Sequence, residues 1–415
     1  MTTRTNWAGS HAYSARDLVA PATLAELQDI VASEAHIRPL GTRHSFSDLA
    51  DTDGVQVSLS ALPGEVEVGE GVVRVPAGWR YGDLAAALVP RGLALANLAS
   101  LPHISIAGAV ATGTHGSGRR NGSLAAAVRA VELVTGTGEL LRLDRGHADL
   151  PGAVVALGLL GVVTALELEV EPAYELTQVV FEGLRWPDLL EDLEAVLGAA
   201  YSVSVFTRWV GDDVGQVWVK DRVDAGSGPA RSAIPGAVPA TEQRHMIAGM
   251  PVDNTTPQLG APGLWHERLP HFRMGFLPSA GEELQSEYLL PWRHAREALA
   301  AVRDLGEALQ DVLFVSELRT VAADDLWLSG AYGEDALALH FTWHRDLERV
   351  TPLLHRLEER LLPLGARPHW GKLFGAEAPA LAALYPRWRD FLDLAARLDP
   401  QGRFRNGWSA RVLGL

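Results

Sequence analysis

Hydrophobic positions in the first part of the chain follow two periods. Leu24, Leu27, Ile30 and Val31 recur at helical spacing behind Thr23, a side chain suited to cap a helix, so LAELQDIVASEA predicts a helix. Ile37 to Leu40 and Gly54 to Leu59 are short apolar runs that predict strands around a loop. Glu65 to Gly78, EVEVGEGVVRVPAG, alternates and predicts paired strands turning at Gly69 to Gly71. Tyr81 to Pro90 predicts a helix stopped by Pro90 and Gly92. Arg129 to Asp144 predicts a hairpin turning at Gly136 to Gly138, and Leu157 to Val170 a glycine-rich bend followed by an alternating strand.

After Glu171-Pro172, the expected boundary of a second domain, the elements lengthen. LEDLEAVLGAA predicts a helix, and VGQVWVK, VLFVSELRTV and ALHFTWH predict strands. In VLFVSELRTV, Val315, Glu317 and Arg319 share one face while Phe314, Ser316 and Leu318 take the other. Residues 221–264 are rich in Gly, Pro and Ser and read as a surface loop or crossover. Helices are expected at Arg293 to Gln310 and at Thr351 to Leu362, the latter with Pro352 suited to a first helical position.

Composition narrows the class. A chain of 415 residues exceeds one ordinary core, so two or three domains are expected. With 47% hydrophobic and 21% charged residues it reads as a soluble globular protein. A net charge of −15 opposes binding to nucleic acid or an anionic membrane. The lack of cysteine removes disulfides, thiolate chemistry and Cys-bound metal, and fits a reducing cytoplasm. MTTRTNWAGS has no hydrophobic core segment and no run of 18 apolar residues occurs, so a cytoplasmic location is expected.

The stretch most suggestive of chemistry runs from Ala99 to Gly122, ASLPHISIAGAVATGTHGSGRRNG. Between Ser105 and Gly118 nearly every residue is small, broken only by Ile106, Val110 and His115. Such a run leaves backbone N–H groups open to form a concave anion site, although a tightly packed turn without a ligand has the same composition. GSGRRNG misses the dinucleotide fingerprint by one residue and no apolar helix pattern begins inside it, so it does not read as a Rossmann site. No metal is expected. Asp51-Thr52-Asp53-Gly54 lacks the spacing and the closing Glu of a calcium loop. His266 and His271 are spaced wrongly for a zinc pair on one helix face and read as a solvent-exposed loop, with the entrance of a pocket as the alternative.

PLGTRHS at Pro39 to Ser45, followed about 60 residues later by SIAGAVATGTHGSG, resembles the flavin domain of the vanillyl-alcohol-oxidase/p-cresol-methylhydroxylase superfamily. The similarity runs nearly end to end, from Asn6-Trp7-Ala8-Gly9 to LDPQGRFRNG, and is greatest to its alditol-oxidising members, with sugar-lactone oxidases and dehydrogenases behind. It implies an α+β fold: a two-subdomain FAD-binding domain at 1–172, an α+β substrate domain with a large antiparallel sheet at 173–368, and a segment at 369–415 returning to the FAD domain. FAD would be bound covalently through His44. Leu40, Gly41, Thr42, Ser45, Ser105, Gly108, Thr112, Gly113, Thr114 and His115 would line its pyrophosphate, ribose and ring edge, and Val163 its adenine side. Arg43 stands where the superfamily often has a second glycine. Ala99 matches a small residue near the reactive flavin carbon, and His369 is placed at the cofactor. Asp399, Pro400, Phe404 and Asn406 resemble the closing motif that packs back on the FAD domain, and Trp388 and Trp408 are expected between domains.

The substrate side carries ExR at Glu317 and Arg319, HxT at His340 and Thr342, and HWGK ending in Lys372. By itself a carboxylate beside a guanidinium on a strand reads as a surface ion pair. The whole pattern, with Ser100, resembles an alditol pocket. Ser100, Glu317 and Thr342 would bind hydroxyls, Arg319 and Lys372 would lower the pKa of the reacting one, and His340 would be a candidate proton acceptor. The implied reaction takes a terminal alcohol of an alditol such as xylitol or sorbitol to the aldose, with O2 reduced to H2O2, in a monomer. A lactone oxidase or dehydrogenase of the same fold, or a flavin carrier without turnover, are the alternatives.

Overall fold

The computed structural model describes residues 4–224, 228–229, 233–275 and 283–415. Thr23 caps the first helix as expected: its Oγ1 accepts from the N–H of Glu26 at 3.1 Å, and Leu24–Ser33 follows. The helix buries Leu27 and Val31 in a cluster with Ile37, Val55, Val57, Val134, Val162 and Phe404. Asp17–Val19, Val55–Val57 and Ile37–Pro39 form a three-stranded parallel sheet with Val55–Val57 central. A second, five-stranded antiparallel sheet has the order Glu67–Val68, Val72–Pro76, Val162–Glu169, Val128–Val134, Leu140–Asp144. Both expected hairpins are in it.

The third sheet is antiparallel and has ten strands among the described residues. Its middle runs Glu175–Glu182, Gln216–Asp224, Ser202–Thr207, Leu313–Val321, Ala336–His344, Glu283–Pro291. One face lies under the helices Trp186–Glu191, Leu193–Leu197, Ala295–Arg303 and Leu347–Leu361, and buries Val205, Val217, Leu284, Leu318, Leu339, Phe341 and Trp343. Each such side chain contributes on the order of 1.5–3 kcal/mol by leaving water. Because side chains alternate, the next positions point to the opposite face. These are Lys220, Gln285, Glu287, Glu317, Arg319, His340 and Thr342, an unusually polar set for a sheet interior.

Four expectations change. Leu313 pairs with Trp343 but Val315 with Thr342, so Phe314 is the extra residue of a bulge. Leu313 therefore takes the core side, and Phe314 is half-buried against His344 instead of sharing a face with Ser316 and Leu318. The helix expected from Arg293 to Gln310 breaks after Arg303 and resumes as Gly306–Leu309, where Gly306 lies so close to Trp209 that a Cβ would be 2.4 Å from its carbonyl oxygen. The next helix starts at Leu347, capped by Asp346, which places Pro352 inside it. Pro352 is exposed, so the helix bond it lacks faces water. Finally, 221–264 is not only a surface loop. Residues 225–227 and 230–232 lie outside the described residues, but the sheet continues to Asp224 and His245, Met246, Ile247, Met250 and Asn254 line the main cavity.

The tail packs against the first two sheets. The Asp399 carboxylate accepts from the N–H groups of Arg403 and Phe404 at 2.9 Å each, and Asn406 Nδ2 donates to the carbonyls of Asp48, Leu49 and Asp51 at 2.8 to 3.3 Å. Trp388 and Trp408 are buried in a cluster that joins Leu49, Leu84, Val131 and Leu166 to Leu176, Trp265, Trp327 and Leu328. No helix among the described residues is long and apolar enough to cross a membrane.

Candidate active site

The loop after Ile37–Pro39 is shaped for close approach. A Cβ on Gly41 would sit 2.3 Å from Ser105 Oγ, and one on Gly108 2.7 Å from the same atom. Arg43 takes φ +64°, the left-handed conformation that glycine adopts freely and that costs an L-residue roughly 1–2 kcal/mol. Its carbonyl accepts from Trp7 N–H at 2.8 Å and its guanidinium donates to Thr5 at 3.3 Å. The turn aims His44 into the cavity, where the ring stacks on Trp7 with centroids 5.3 Å apart. Thr42 Oγ1 lies 3.0 Å from His44 Nδ1 and accepts the Ser105 N–H at 3.0 Å, joining this loop to the glycine stretch. Burial, with His103 adding to it, pushes the His44 pKa down to about 4.

Ile106–Ala111 is a short helix ending at Gly113, φ +68°. The chain then passes so close to Asn97 and Leu98 that a Cβ on Gly116 would be 2.1 Å from Asn97 Oδ1 and 2.3 Å from the Leu98 carbonyl oxygen. These approaches enclose a cavity of about 460 Å³. Every residue expected at the cofactor lines it except Gly113, whose part is to turn the chain.

The polar face of the large sheet closes the other side. Across three strands Glu317, His340 and Glu287 lie in one register row, and Ser100, Arg319, Thr342, His369 and Lys372 line the same cavity. Glu287, 1% exposed, is the centre of the cluster. Its Oε1 is 2.8 Å from Arg319 and 3.1 Å from His115 Nε2, and its Oε2 is 2.5 Å from Lys372 Nζ. Burial opposes its charge, but Lys372, Arg319 and His115 outweigh that and hold it well below the usual carboxylate range. Glu317 is held low likewise, against burial, by Arg319 and His271. Burial lowers Arg319, but Glu317 and Glu287 more than offset this, so its pKa is raised. Burial lowers Lys372 despite Glu287, and pushes His340 down to about 4 with Lys372 adding to it. Lys372 Nζ donates to His340 Nδ1 at 2.6 Å, so a neutral His340 carries its proton on Nε2, 3.1 Å from Thr342 Oγ1. Two anions and two cations thus balance on a cavity wall where none of the four side chains is more than 13% exposed.

Glu287 escaped the sequence reading: ELQSEYLLP offers no motif, and only its pairing with Ala336–His344 marks the position. His271, expected in an exposed loop, is 4% exposed, lines the cavity and places Nε2 2.8 Å from Glu317 Oε1. His266 is only half-buried and does not line the cavity.

Comparison with known proteins agrees with this architecture. A profile described as FAD binding domain matches residues 15–144, and one for D-arabinono-1,4-lactone oxidase matches 281–412. The chain is 51% identical over 410 residues to alditol oxidase from Streptomyces sp., covering 98% of this chain and 97% of that one. It is 30% identical to L-gulono-1,4-lactone dehydrogenase from Mycobacterium tuberculosis, over 99% of this chain and 98% of the relative. Cholesterol oxidase from B. sterolicum superposes with a TM-score of 0.79 over 99% of this chain and 96% of that one, at 14% identity, which marks a shared fold. With near-complete overlap at this identity, the chain belongs to the alditol oxidase family of vanillyl-alcohol-oxidase/p-cresol-methylhydroxylase flavoproteins.

Proposed function

We propose that this protein is an FAD-dependent alditol oxidase that converts the terminal alcohol of xylitol or sorbitol to the aldose, with O2 reduced to H2O2. The observation that carries the reading is the convergence of Glu317, Arg319, His340, Thr342 and Lys372 on the cavity that His44 and the glycine stretch line. The cradle fits the cofactor: Gly41, Gly108 and the neutral His44 leave backbone and an imidazole free to meet it. His44 would carry it covalently, and FAD supplies a hydride acceptor that returns electrons to O2. The proposed division is 1–172 for the cofactor, 173–368 for substrate and 369–415 for the return, in a cytoplasmic monomer.

A polyol offers hydroxyls and no charge. Glu317 accepts from one, Ser100 and Thr342 orient the chain, and the cations of Arg319 and Lys372 favour deprotonation of the reacting hydroxyl in a site with little water to screen them. Lys372 hands a proton to His340 Nδ1 along their hydrogen bond and takes the hydroxyl proton in its place. The match of residues 281–412 to lactone oxidases favours, as second reading, a sugar-lactone oxidase or dehydrogenase.

The test is the visible spectrum before and after acid precipitation, followed by a peroxide assay with xylitol and with a γ-lactone. Yellow colour that stays in the pellet and is lost in His44→Ala, with peroxide from xylitol, is expected. Flavin released to the supernatant refutes the covalent link. Turnover of the lactone but not of xylitol favours the second reading.

A further inference from the structure

Behind Glu317 lies a buried chain that neither the sequence motif nor the proposed reaction uses. Lys220, 1% exposed, sits on the strand Gln216–Asp224 and does not line the cavity. Its Nζ donates to the Leu269 carbonyl at 2.5 Å and the Pro270 carbonyl at 3.4 Å, and lies 3.3 Å from His271 Nδ1. Three N–H bonds and three acceptors match. An ionised carboxylate only accepts, so the single proton of a neutral His271 lies on Nε2, which faces Glu317 Oε1 at 2.8 Å, and Nδ1 is left to accept from Lys220. Burial, with Lys220 adding to it, pushes His271 down to about 4, which keeps it neutral and leaves no second tautomer compatible with both neighbours. Thr256 pins the same corner, its N–H donating to the His271 carbonyl at 2.9 Å and its Oγ1 to the Pro270 carbonyl at 2.7 Å. The backbone N–H groups of His271 and Phe272 in turn donate to the Ser100 carbonyl at 3.2 and 3.3 Å.

We propose that Lys220 and His271 are positioning residues that orient Glu317 and Ser100 together for polyol binding. Lys220 holds the Leu269–His271 corner through the two carbonyls and engages the imidazole at Nδ1. His271 then occupies Glu317 Oε1 by donation, so that Oε2 is left for a substrate hydroxyl, and its backbone sets Ser100 on the facing wall. The proposal rests on Glu317 being a substrate ligand.

The experiment measures xylitol KM and kcat for His271→Leu, His271→Gln, Lys220→Met and Glu317→Gln in the flavin-loaded protein, with flavin content and thermal midpoint as controls for folding. Loss of a charge-assisted bond in His271→Leu is expected to raise KM about tenfold while kcat changes little, since binding and not chemistry is disturbed. Lys220→Met is expected to do the same. His271→Gln, whose amide N–H2 can replace Nε2–H, is expected to restore most of the loss, which a merely structural role would not produce. Unchanged KM in His271→Leu and Lys220→Met, alongside a raised KM in Glu317→Gln, overturns the relay and leaves the site reading intact. Unchanged KM in Glu317→Gln overturns that reading itself, and the relay with it. Equal defects in His271→Gln and His271→Leu refute the donor role. Should Lys220→Met not fold, the two His271 variants decide the matter.

Discussion

Lys372 and Glu287, from segments 85 residues apart, meet through a 2.5 Å contact in which the carboxylate is 1% and the ammonium 13% exposed. Lys372 is thereby fixed at the cavity wall, with its second bond to His340. In the proposed reaction its charge is positioned by a residue that the substrate need not touch.

Lys372→Ala therefore removes a positioned cation and leaves Glu287 still paired with Arg319. The protein should fold and retain flavin, while the anaerobic rate of flavin reduction by xylitol falls on the order of 10²–10³-fold. A rate within twofold of the parent would remove Lys372 from the reaction.

Glu287→Leu leaves both Arg319 and Lys372 without their shared carboxylate. Breaking a buried pair from one side costs about 3–5 kcal/mol, so the thermal midpoint should fall by several degrees. Adding Lys372→Met to Glu287→Leu should restore part of the loss, because the orphaned charge goes with it. Equal midpoints for Glu287→Leu and the parent would contradict the central place given to this residue.

The buried histidines set an acid limit. His271 and His340 are held at about 4, below their ordinary 6.5, so the unfolded chain binds protons first as pH falls. Their contribution to stability is intact above about 6.5 and is lost as pH falls towards about 4. Lys220, pushed down by burial from 10.5 to about 7, acts in the same direction at higher pH, since the unfolded chain again holds the extra proton. Thermal midpoints measured across this range should rise with pH, most clearly between pH 4 and 6.5. Replacing His340 with Asn should flatten that acid limb.

Gly116→Ala forces a Cβ against the Asn97 amide and the Leu98 carbonyl. Backbone is the obstacle, so the segment leading to Ala99 and Ser100 has to move. Flavin content of the purified protein, read from its absorbance ratio, should drop together with the thermal midpoint. Full loading would show that the segment has slack.

Legibility differed between the two halves of the cavity. The half expected to hold the cofactor is local: Pro39 to Ser45 and Ser105 to Gly118 are contiguous, so their small residues and turns are visible in the sequence, and His44 stands out through the resemblance these two stretches carry. The amphipathic helix behind Thr23, the two hairpins and the strands bearing Glu317 and His340 were likewise legible, since each carries its own periodic pattern in consecutive residues. Even so, the period failed at Phe314, where pairing with the neighbouring strand inserts a bulge. It also misplaced Pro352, because Asp346 starts the helix earlier than the proline suggests.

By itself the sequence determined which elements form, that one loop and one glycine stretch are built for close approach, and that Glu317 shares a strand face with Arg319 and His340 one with Thr342. These follow from local sterics and from a side-chain period of two, which neighbouring residues carry. Only the tertiary structure decided that Glu287 stands at the centre of the charges, that His271 leaves its loop for the cavity, and that Lys220 lies behind it. Those placements depend on strand register and on a chain crossing from Thr256 to Phe272 over the sheet, so no residue near them in sequence could report them.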